Sequence, residues 1–144
     1  MITMEYQALL EPGETDVIVV SFPDVPEAIT QGDDREDALE QAQDALGLAL
    51  LTYIELGRDL PAPGKPKKGL VPVCVEPATA AKIAVLDAFR KAGITKSELA
   101  ERLGKDHKEV RRILDPMHLT KIGPLNEALR ALGHRMVISF GKAA

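Results

Sequence analysis

Four side chains able to donate hydrogen bonds to nucleic acid fall within a six-residue stretch of this 144-residue chain: His107, Lys108, Arg111 and Arg112. Each arginine can present two N–H groups to the O6 and N7 acceptors of guanine, and the histidine or lysine can donate to a base or a phosphate. Asp106 stands just before the cluster, with Glu109 three residues further on, which is the pattern of a helix N-terminus. The sequence therefore predicts a short helix that presents these four side chains to DNA.

A second capped helix immediately precedes this one. Thr95 and Glu98 have the spacing of a capping box, and Gly104 ends the helix that they begin. Two capped helices with so short a break between them predict a helix-turn-helix, the motif that places its second helix in the major groove of DNA. Lys96 and Ser97 stand at the N-terminus of the first helix, where we expect them to contact the DNA backbone.

Neither the histidines nor the paired carboxylates have the spacing of a metal site. His107, His118 and His134 are separated by 11 and 16 residues, which matches no standard ligand motif. Asp33 and Asp34 precede a helical pattern, and helix capping accounts for both of them without an ion. We therefore predict no metal ion and no other cofactor.

The two halves of the chain carry opposite net charge. Residues 1 to 76 contain 15 Asp and Glu against 5 Lys and Arg, a net charge of −10, whereas residues 77 to 144 contain 7 against 13, a net charge of +6. A basic half is expected of a phosphate-binding module, and an acidic half suits a basic protein partner. We therefore predict two domains, residues 1–76 and 77–144, with separate tasks.

The acidic half combines short strands with one long helix. Alternating apolar residues from Tyr6 onward and the run Val17 to Phe22 predict a β-hairpin, and Glu27 to Gln31 predicts a third strand. Apolar residues at helical spacing predict a helix from about Asp34 to Glu55, followed by a Pro-rich connector over 57–69 and a last strand at Leu70 to Val75. The expected fold class is α+β, with a β-β-β-α-β domain followed by an all-α domain.

The acidic half resembles the HicB antitoxin family. The resemblance is carried by Val19-Val20-Ser21-Phe22-Pro23-Asp24-Val25-Pro26, Ile29-Thr30-Gln31-Gly32-Asp33 and Glu36-Asp37-Ala38-Leu39. It implies a partial ribonuclease-H-like fold without nuclease activity, which binds and blocks a small, basic HicA-like toxin that cleaves mRNA. In this half we expect Phe22, Asp24 and Glu27 to contact the toxin.

The basic half resembles helix-turn-helix domains of the phage-repressor type (Cro, or XRE). The resemblance is carried by Ser97-Glu98-Leu99-Ala100, Leu103-Gly104, Val110, Ile113-Leu114, Leu125, Ala128-Leu129 and Leu132-Gly133. It implies a DNA-binding domain over roughly residues 82 to 134. The donor cluster at residues 107 to 112 points to the same function on its own grounds.

The end of the chain has the alternating pattern of a strand. Met136, Ile138 and Phe140 alternate with Val137 and Ser139 after the predicted last helix. Because a lone terminal strand needs a partner, we predict that it pairs with its equivalent in a second copy. The resulting homodimer, or a higher homo-oligomer, would place two DNA-binding helices about one helical turn of DNA apart.

The compartment follows from the single cysteine and the absence of long apolar runs. Cys74 has no partner for a disulfide, which favours a reducing environment. No stretch reaches the roughly 18 consecutive apolar residues of a membrane span. We expect a cytoplasmic protein that does not associate with membranes.

Three functions fit the sequence. The favoured one is an antitoxin that blocks a toxin with its acidic half and represses its own operon, by binding operator DNA, with its basic half. The second is a transcriptional regulator whose N-terminal domain senses a small ligand or only dimerises. The third is a nuclease tethered to DNA, which we do not expect because the acids lie on a helix exterior and in loops instead of converging on paired metal ions. We predict that the chain is not an enzyme.

Overall fold

The described chain divides into two compact units. The computed structural model describes residues 2–143, and its first unit contains the described residues up to Glu76 together with Lys142 and Ala143. The second unit runs from Pro77 to Gly141. Among residues 2–143, no helix combines the length and the apolar character needed to cross a bilayer.

The first unit is a four-stranded antiparallel sheet with one long helix packed on it. Its elements in chain order are β1 (Glu5–Pro12), a short 3-10 helix (Glu14–Asp16), β2 (Ile18–Ser21), β3 (Ile29–Gly32), α1 (Arg35–Glu55) and β4 (Val71–Cys74). The strand order across the sheet is β3-β2-β1-β4. The predicted β-β-β-α-β order is confirmed, although β3 begins at Ile29 and not at Glu27.

The register of the sheet brings the predicted apolar residues to one layer. Leu10 lies opposite Val20, and Tyr6 lies opposite Val73. Helix α1 packs against β2, β3 and β4. The buried apolar side chains of this unit are aliphatic except for three aromatic ones, Tyr6, Phe22 and Tyr53. The full set is Tyr6, Ala8, Val20, Phe22, Val25, Ala28, Ala38, Ala42, Leu46, Ala49, Leu50, Tyr53, Val73 and Val75.

A reciprocal cap fixes the start of α1. The Asp34 Oδ1 atom accepts a hydrogen bond from the Asp37 backbone N–H at 2.8 Å, and the Asp37 Oδ2 atom accepts one from the Asp33 backbone N–H, also at 2.8 Å. A Cβ atom at Gly32 would lie 2.3 Å from the backbone nitrogen of Ala38, so only glycine lets β3 approach the helix this closely. The predicted capping role is confirmed for the Asp34 side chain, whereas Asp33 takes part only through its backbone N–H.

The second unit consists of four helices. They are α2 (Pro77–Ala92), α3 (Lys96–Leu103), α4 (His107–Ile113) and α5 (Ile122–Ala131). Helix α2 packs on α5, and α3 packs on both α4 and α5. Their shared core is aliphatic: Ala81, Ile83, Val85, Leu86, Ala88, Leu99, Ala100, Val110, Ile113, Leu114, Leu125, Ala128, Leu129 and Leu132.

The predicted C-terminal strand is absent from the single described chain. No helix or strand is assigned to residues 134–143, and Phe140 is 95% exposed. The segment has the alternating sequence of a strand. A strand needs a neighbouring backbone to pair with, and in the single described chain none is paired with this segment.

Candidate nucleic-acid interface and partner-binding surface

Helices α3 and α4 form a tight pair with a cap at each N-terminus. The Thr95 hydroxyl accepts a hydrogen bond from the Glu98 backbone N–H at 3.1 Å, and the Asp106 carboxylate accepts one from the Glu109 backbone N–H at 2.8 Å. Gly104 has a φ of +65°, in the left-handed region, which lets the chain leave α3 and enter α4 within three residues. Both predicted caps are therefore confirmed.

All six side chains predicted to contact DNA are exposed. Lys96 and Ser97 lie in the first turn of α3, and the other four lie on α4: His107, Lys108, Arg111 and Arg112. The opposite side of α4 carries Val110 and Ile113, which are buried. Within residues 2–143, none of the six side chains makes a hydrogen bond or an ion pair, and the contacts to Arg112 are made by its backbone oxygen. Their donors are therefore available to an external acceptor.

Two other basic side chains near α4 already have partners. The Lys105 ammonium lies 3.8 Å from the Glu109 carboxylate and 3.4 Å from that of Glu127. The Arg102 guanidinium donates to the backbone oxygen of Ala131 at 3.2 Å. Glu109, the acidic residue within α4, thus has a basic partner, whereas the basic side chains of α4 have no acidic one among the described residues.

A buried lysine that the sequence pattern did not reveal supports the end of α4. Lys82 of α2 is 3% exposed, and its Nζ atom donates to the backbone oxygens of Arg112 and Ile113 at 3.0 and 2.8 Å. It also donates to the Thr120 hydroxyl at 2.7 Å. Burial lowers the pKa of Lys82 to about 8, and the nearby Asp115 carboxylate opposes that shift.

The signal that could have revealed Lys82 is its place in the helical period. It stands four residues before Leu86, and so on the apolar face of α2. Asp87 is a second buried charge on the same helix, 1% exposed, and its carboxylate accepts from Lys91 at 2.9 Å and from Arg90 at 3.5 Å. A charged residue inside an apolar stripe indicates a paired, buried group.

The residues predicted to bind a toxin occupy three different environments. Phe22 is 2% exposed and packs in the core, so it offers no surface to a partner in this structure. Asp24 accepts a hydrogen bond from the Gly64 backbone N–H at 2.8 Å. Glu27 is exposed and accepts from the Tyr53 hydroxyl at 2.7 Å and from the Arg58 guanidinium at 3.3 Å. The toxin contacts of these three residues stay a prediction, and the burial of Phe22 makes it the least accessible of them.

The acids at positions 24 and 27 fasten the connector to the first unit. The connector, residues 57–69, is held through Arg58 and Gly64 by these acids, and the Tyr6 hydroxyl donates to the backbone oxygen of Pro61 at 2.7 Å. The hydrogen bond from the Tyr53 hydroxyl is the main cause that lowers the pKa of Glu27. Burial raises the pKa of Tyr6 to about 12. The connector is thus a fixed part of this unit's surface.

The outer side of α1 carries a row of acidic side chains. Glu36, Glu40 and Asp44 are all exposed and follow one another at four-residue intervals, which places them along one side of the helix. Leu48 continues the row by one further interval and is also exposed. This row offers a basic partner several carboxylates, followed by an apolar contact.

No metal site forms in the described part of the chain. Among residues 2–143, no group of three or more His, Cys, Asp or Glu side chains is arranged to hold a metal ion. Cys74 lies in β4 and is exposed, and partial desolvation of its sulfur together with the hydrogen bond it donates to the Glu5 carboxylate raises the pKa of the thiol.

The fold and the two surfaces define a two-unit α+β protein with an acidic sheet-and-helix unit and a helical unit bearing unpaired basic side chains. Residues 5–84 match the family described as the HicB-like antitoxin of bacterial toxin-antitoxin systems. Antitoxin HicB 1 of Photorhabdus laumondii is 43% identical over 94% of this chain and 86% of its own length. Antitoxin HicB of Escherichia coli is 37% identical over 92% of this chain and 96% of its own length.

The chain therefore belongs to the HicB-like antitoxin family, and it is a non-enzymatic antitoxin of a toxin-antitoxin system. Among solved structures, the crystal structure of the N-terminal domain of Burkholderia pseudomallei antitoxin HicB matches with a TM-score of 0.42 and 24% identity, covering 51% of this chain and 96% of that one.

Proposed function

We propose that this antitoxin neutralises a small, HicA-like, mRNA-cleaving toxin through its first unit and represses its own operon by binding operator DNA through α3 and α4. The observation that carries the DNA-binding part is the set of six exposed donor side chains with no partner in the described chain. The toxin-binding part rests on the family relationship and on the acidic surface of the first unit.

The second unit has the parts that operator binding requires. In a helix-turn-helix, the first residues of the second helix reach base edges, and the first helix contacts the phosphate backbone. Arg111 and Arg112 supply bidentate donors for guanine, while His107 and Lys108 lie in the first turn of α4. Lys96 and Ser97 supply the phosphate contacts from the start of α3.

The first unit offers an acidic docking surface for a basic toxin. A protein that cleaves mRNA must bind a polyanion, so its own binding face is expected to be positive. The row formed by Glu36, Glu40 and Asp44 complements such a face, and Asp24 and Glu27 add two carboxylates near the connector. Complementary charge of this kind accelerates association and excludes wrong partners.

A homodimer completes the proposal. Val137, Ile138 and Phe140 are exposed in the single chain, and their segment keeps the alternating pattern of a strand. Pairing of this segment with its equivalent in a second copy would cover these apolar side chains and bring two α4 helices to adjacent half-sites, roughly 34–36 Å apart on a palindromic operator.

The decisive experiment uses the small protein encoded beside this chain. We expect co-expression to restore the growth that the small protein alone inhibits, and the two proteins to purify together. A separate binding measurement uses DNA from upstream of the gene pair, with scrambled DNA of equal length as control. The logarithm of the chain's affinity for the upstream DNA should fall linearly with the logarithm of the salt concentration. Rescue without DNA binding would remove the repressor role, and DNA binding without rescue would leave a transcriptional regulator of another kind.

A further inference from the structure

We propose that Lys82 is a positioning residue for operator binding: its ammonium group holds the last turn of α4 to α2 and so sets the direction in which Arg111 and Arg112 leave the helix. This inference rests on the proposed DNA-binding function of α4. It concerns a residue that does not itself face DNA, because its side chain is 3% exposed.

The ammonium of Lys82 has three N–H donors, and the structure provides an acceptor for each. The backbone oxygens of Arg112 and Ile113 lie 3.0 and 2.8 Å from Nζ, and the Thr120 hydroxyl oxygen lies 2.7 Å from it. All three donors are therefore used within the second unit. A neutral amine has only two N–H groups and one lone pair, so it would leave one of these acceptors without its donor.

Thr120 extends the same network to the chain that follows α4. Its hydroxyl donates to the backbone oxygen of Arg112 at 3.3 Å, and the Nδ1 atom of His118 lies 2.9 Å from the Thr120 hydroxyl oxygen. Because the single hydroxyl proton points to Arg112, we assign the His118 Nδ1–H as a donor to Thr120. The Thr120 hydroxyl oxygen thus links Lys82, His118 and the end of α4.

Helix α4 needs such support because it is short. It contains seven residues, and the last carbonyl groups of any helix lack partners within the helix. The Lys82 ammonium satisfies two of these carbonyls and places positive charge at the negative end of the helix dipole. Lys82 binds the carbonyl group of Arg112, which is also one of the proposed DNA-contacting residues. The lysine therefore acts directly on the helix turn that carries the Arg112 side chain.

The chemistry of the site argues for positioning over stability. Removing Lys82 abolishes the desolvation penalty of its buried charge but also leaves its acceptors without that donor, so the two contributions to stability oppose each other. Methionine has nearly the length of the lysine stem and fills irregular core space well. A Lys82→Met variant therefore keeps the packing of α2 and removes only the three donors.

The test compares three variants of the full chain: Lys82→Met, Thr120→Val and Thr120→Ser. We expect Lys82→Met to bind operator DNA at least tenfold more weakly while its affinity for scrambled DNA stays within twofold of wild type. Thr120→Val, which removes only the hydroxyl, should give a smaller loss in the same direction. Thr120→Ser keeps the hydroxyl oxygen and should bind the operator within twofold of wild type.

A second readout needs no DNA. Amide hydrogen exchange at Leu114 and Asp115, whose N–H groups donate to the backbone oxygens of Val110 and Arg112, reports directly on the last turn of α4. We expect exchange there to rise at least tenfold in Lys82→Met, with the amide of Leu99 in α3 unchanged as an internal control.

The outcomes separate this inference from the function on which it rests. A wild-type chain that binds no operator refutes the DNA-binding function itself. The positioning role alone is refuted if the wild type binds the operator and Lys82→Met binds it equally well, with equally slow amide exchange at Leu114. If Lys82→Met does not fold, Thr120→Val decides, and unchanged operator affinity and exchange in that variant overturn the proposal.

Discussion

The two units of this antitoxin use charge in opposite ways. In the first unit, surface acids hold the structure together: the half-buried Asp24 binds the Gly64 backbone, and the exposed Glu27 binds Tyr53 and Arg58. In the second unit, the charges that hold the structure are buried, at Lys82 and Asp87, and the exposed basic residues of α4 carry no structural contact. Separation of the two roles leaves the helical unit with a surface free for a ligand, whereas the first unit combines both roles on one surface.

Removing the free donors of α4 should have the largest effect. We expect Arg111→Ala to weaken operator binding by about 1–3 kcal/mol and to relax selectivity at one base position, and the Arg111→Ala/Arg112→Ala double variant to lose roughly twice as much. Because these exposed side chains make no hydrogen bond or ion pair within the described residues, the thermal midpoint should stay unchanged. Fluorescence anisotropy with operator and scrambled DNA measures both effects.

The matched control is Arg130→Ala, which removes an exposed arginine from α5. It should leave operator affinity unchanged. An equal loss on operator and scrambled DNA for Arg111→Ala would show that this residue contacts phosphate only, and so would weaken the contrast between the two units.

The buried lysine should make the stability of the second unit rise with pH. Burial holds the folded pKa of Lys82 at about 8, below the value near 10.4 for an exposed lysine. Between these values the unfolded state binds more protons than the folded state, so the free energy of unfolding increases with pH, by up to about 3 kcal/mol. Below pH 8 both states are protonated and this contribution is constant.

The measurement is urea unfolding of wild type and Lys82→Met between pH 7 and 10, compared as a difference. The ionisable groups near the lysine are the Asp115 carboxylate, which opposes the lowering of its pKa, and the His118 imidazole, which is linked to it through the Thr120 hydroxyl. A difference that does not change with pH would show that the lysine is not desolvated, and the distinction between buried and exposed structural charge would fail.

Neutralising the acidic row of α1 should slow toxin binding. We expect the triple variant Glu36→Gln/Glu40→Gln/Asp44→Asn to reduce the association rate constant by about tenfold at low salt, and by less at high salt, because the contribution is electrostatic steering. The matched control neutralises three other exposed acids of the first unit: Glu11, Glu14 and Glu55. Equal slowing by both triple variants, in surface plasmon resonance, would mean that net charge matters and the row does not.

The smallest effect is expected at the connector. Asp24→Asn and Glu27→Gln weaken its attachment, so trypsin should cleave after Lys67 or Lys68 a few times faster, on the order of two- to fivefold. The pair also tests the proposed toxin contacts, since loss of toxin affinity without faster cleavage would assign these acids to the partner. Faster cleavage with unchanged toxin affinity would assign them to the connector alone, and Glu55→Gln serves as the control.

Local signals in the sequence determined the elements and their ends. The caps at Asp34, Thr95 and Asp106 and the stop at Gly104 depend on hydrogen bonds or dihedral angles within about four residues, so spacing alone identified them. Helical periodicity likewise separated the buried Val110 and Ile113 from the exposed basic side chains of α4. The opposite charge of the two halves is a property of composition.

Contacts between distant residues were decided by the tertiary structure alone. Lys82 meets Thr120 across 38 positions, and Asp24 meets Gly64 across 40, and no local pattern records either pairing. The burial of Phe22 also depends on distant contacts. The sequence motif around it predicted contact with a partner, whereas packing places its side chain in the core. Whether a charged or aromatic side chain builds the protein or meets a partner depends on what surrounds it in space, and short-range spacing does not contain that information.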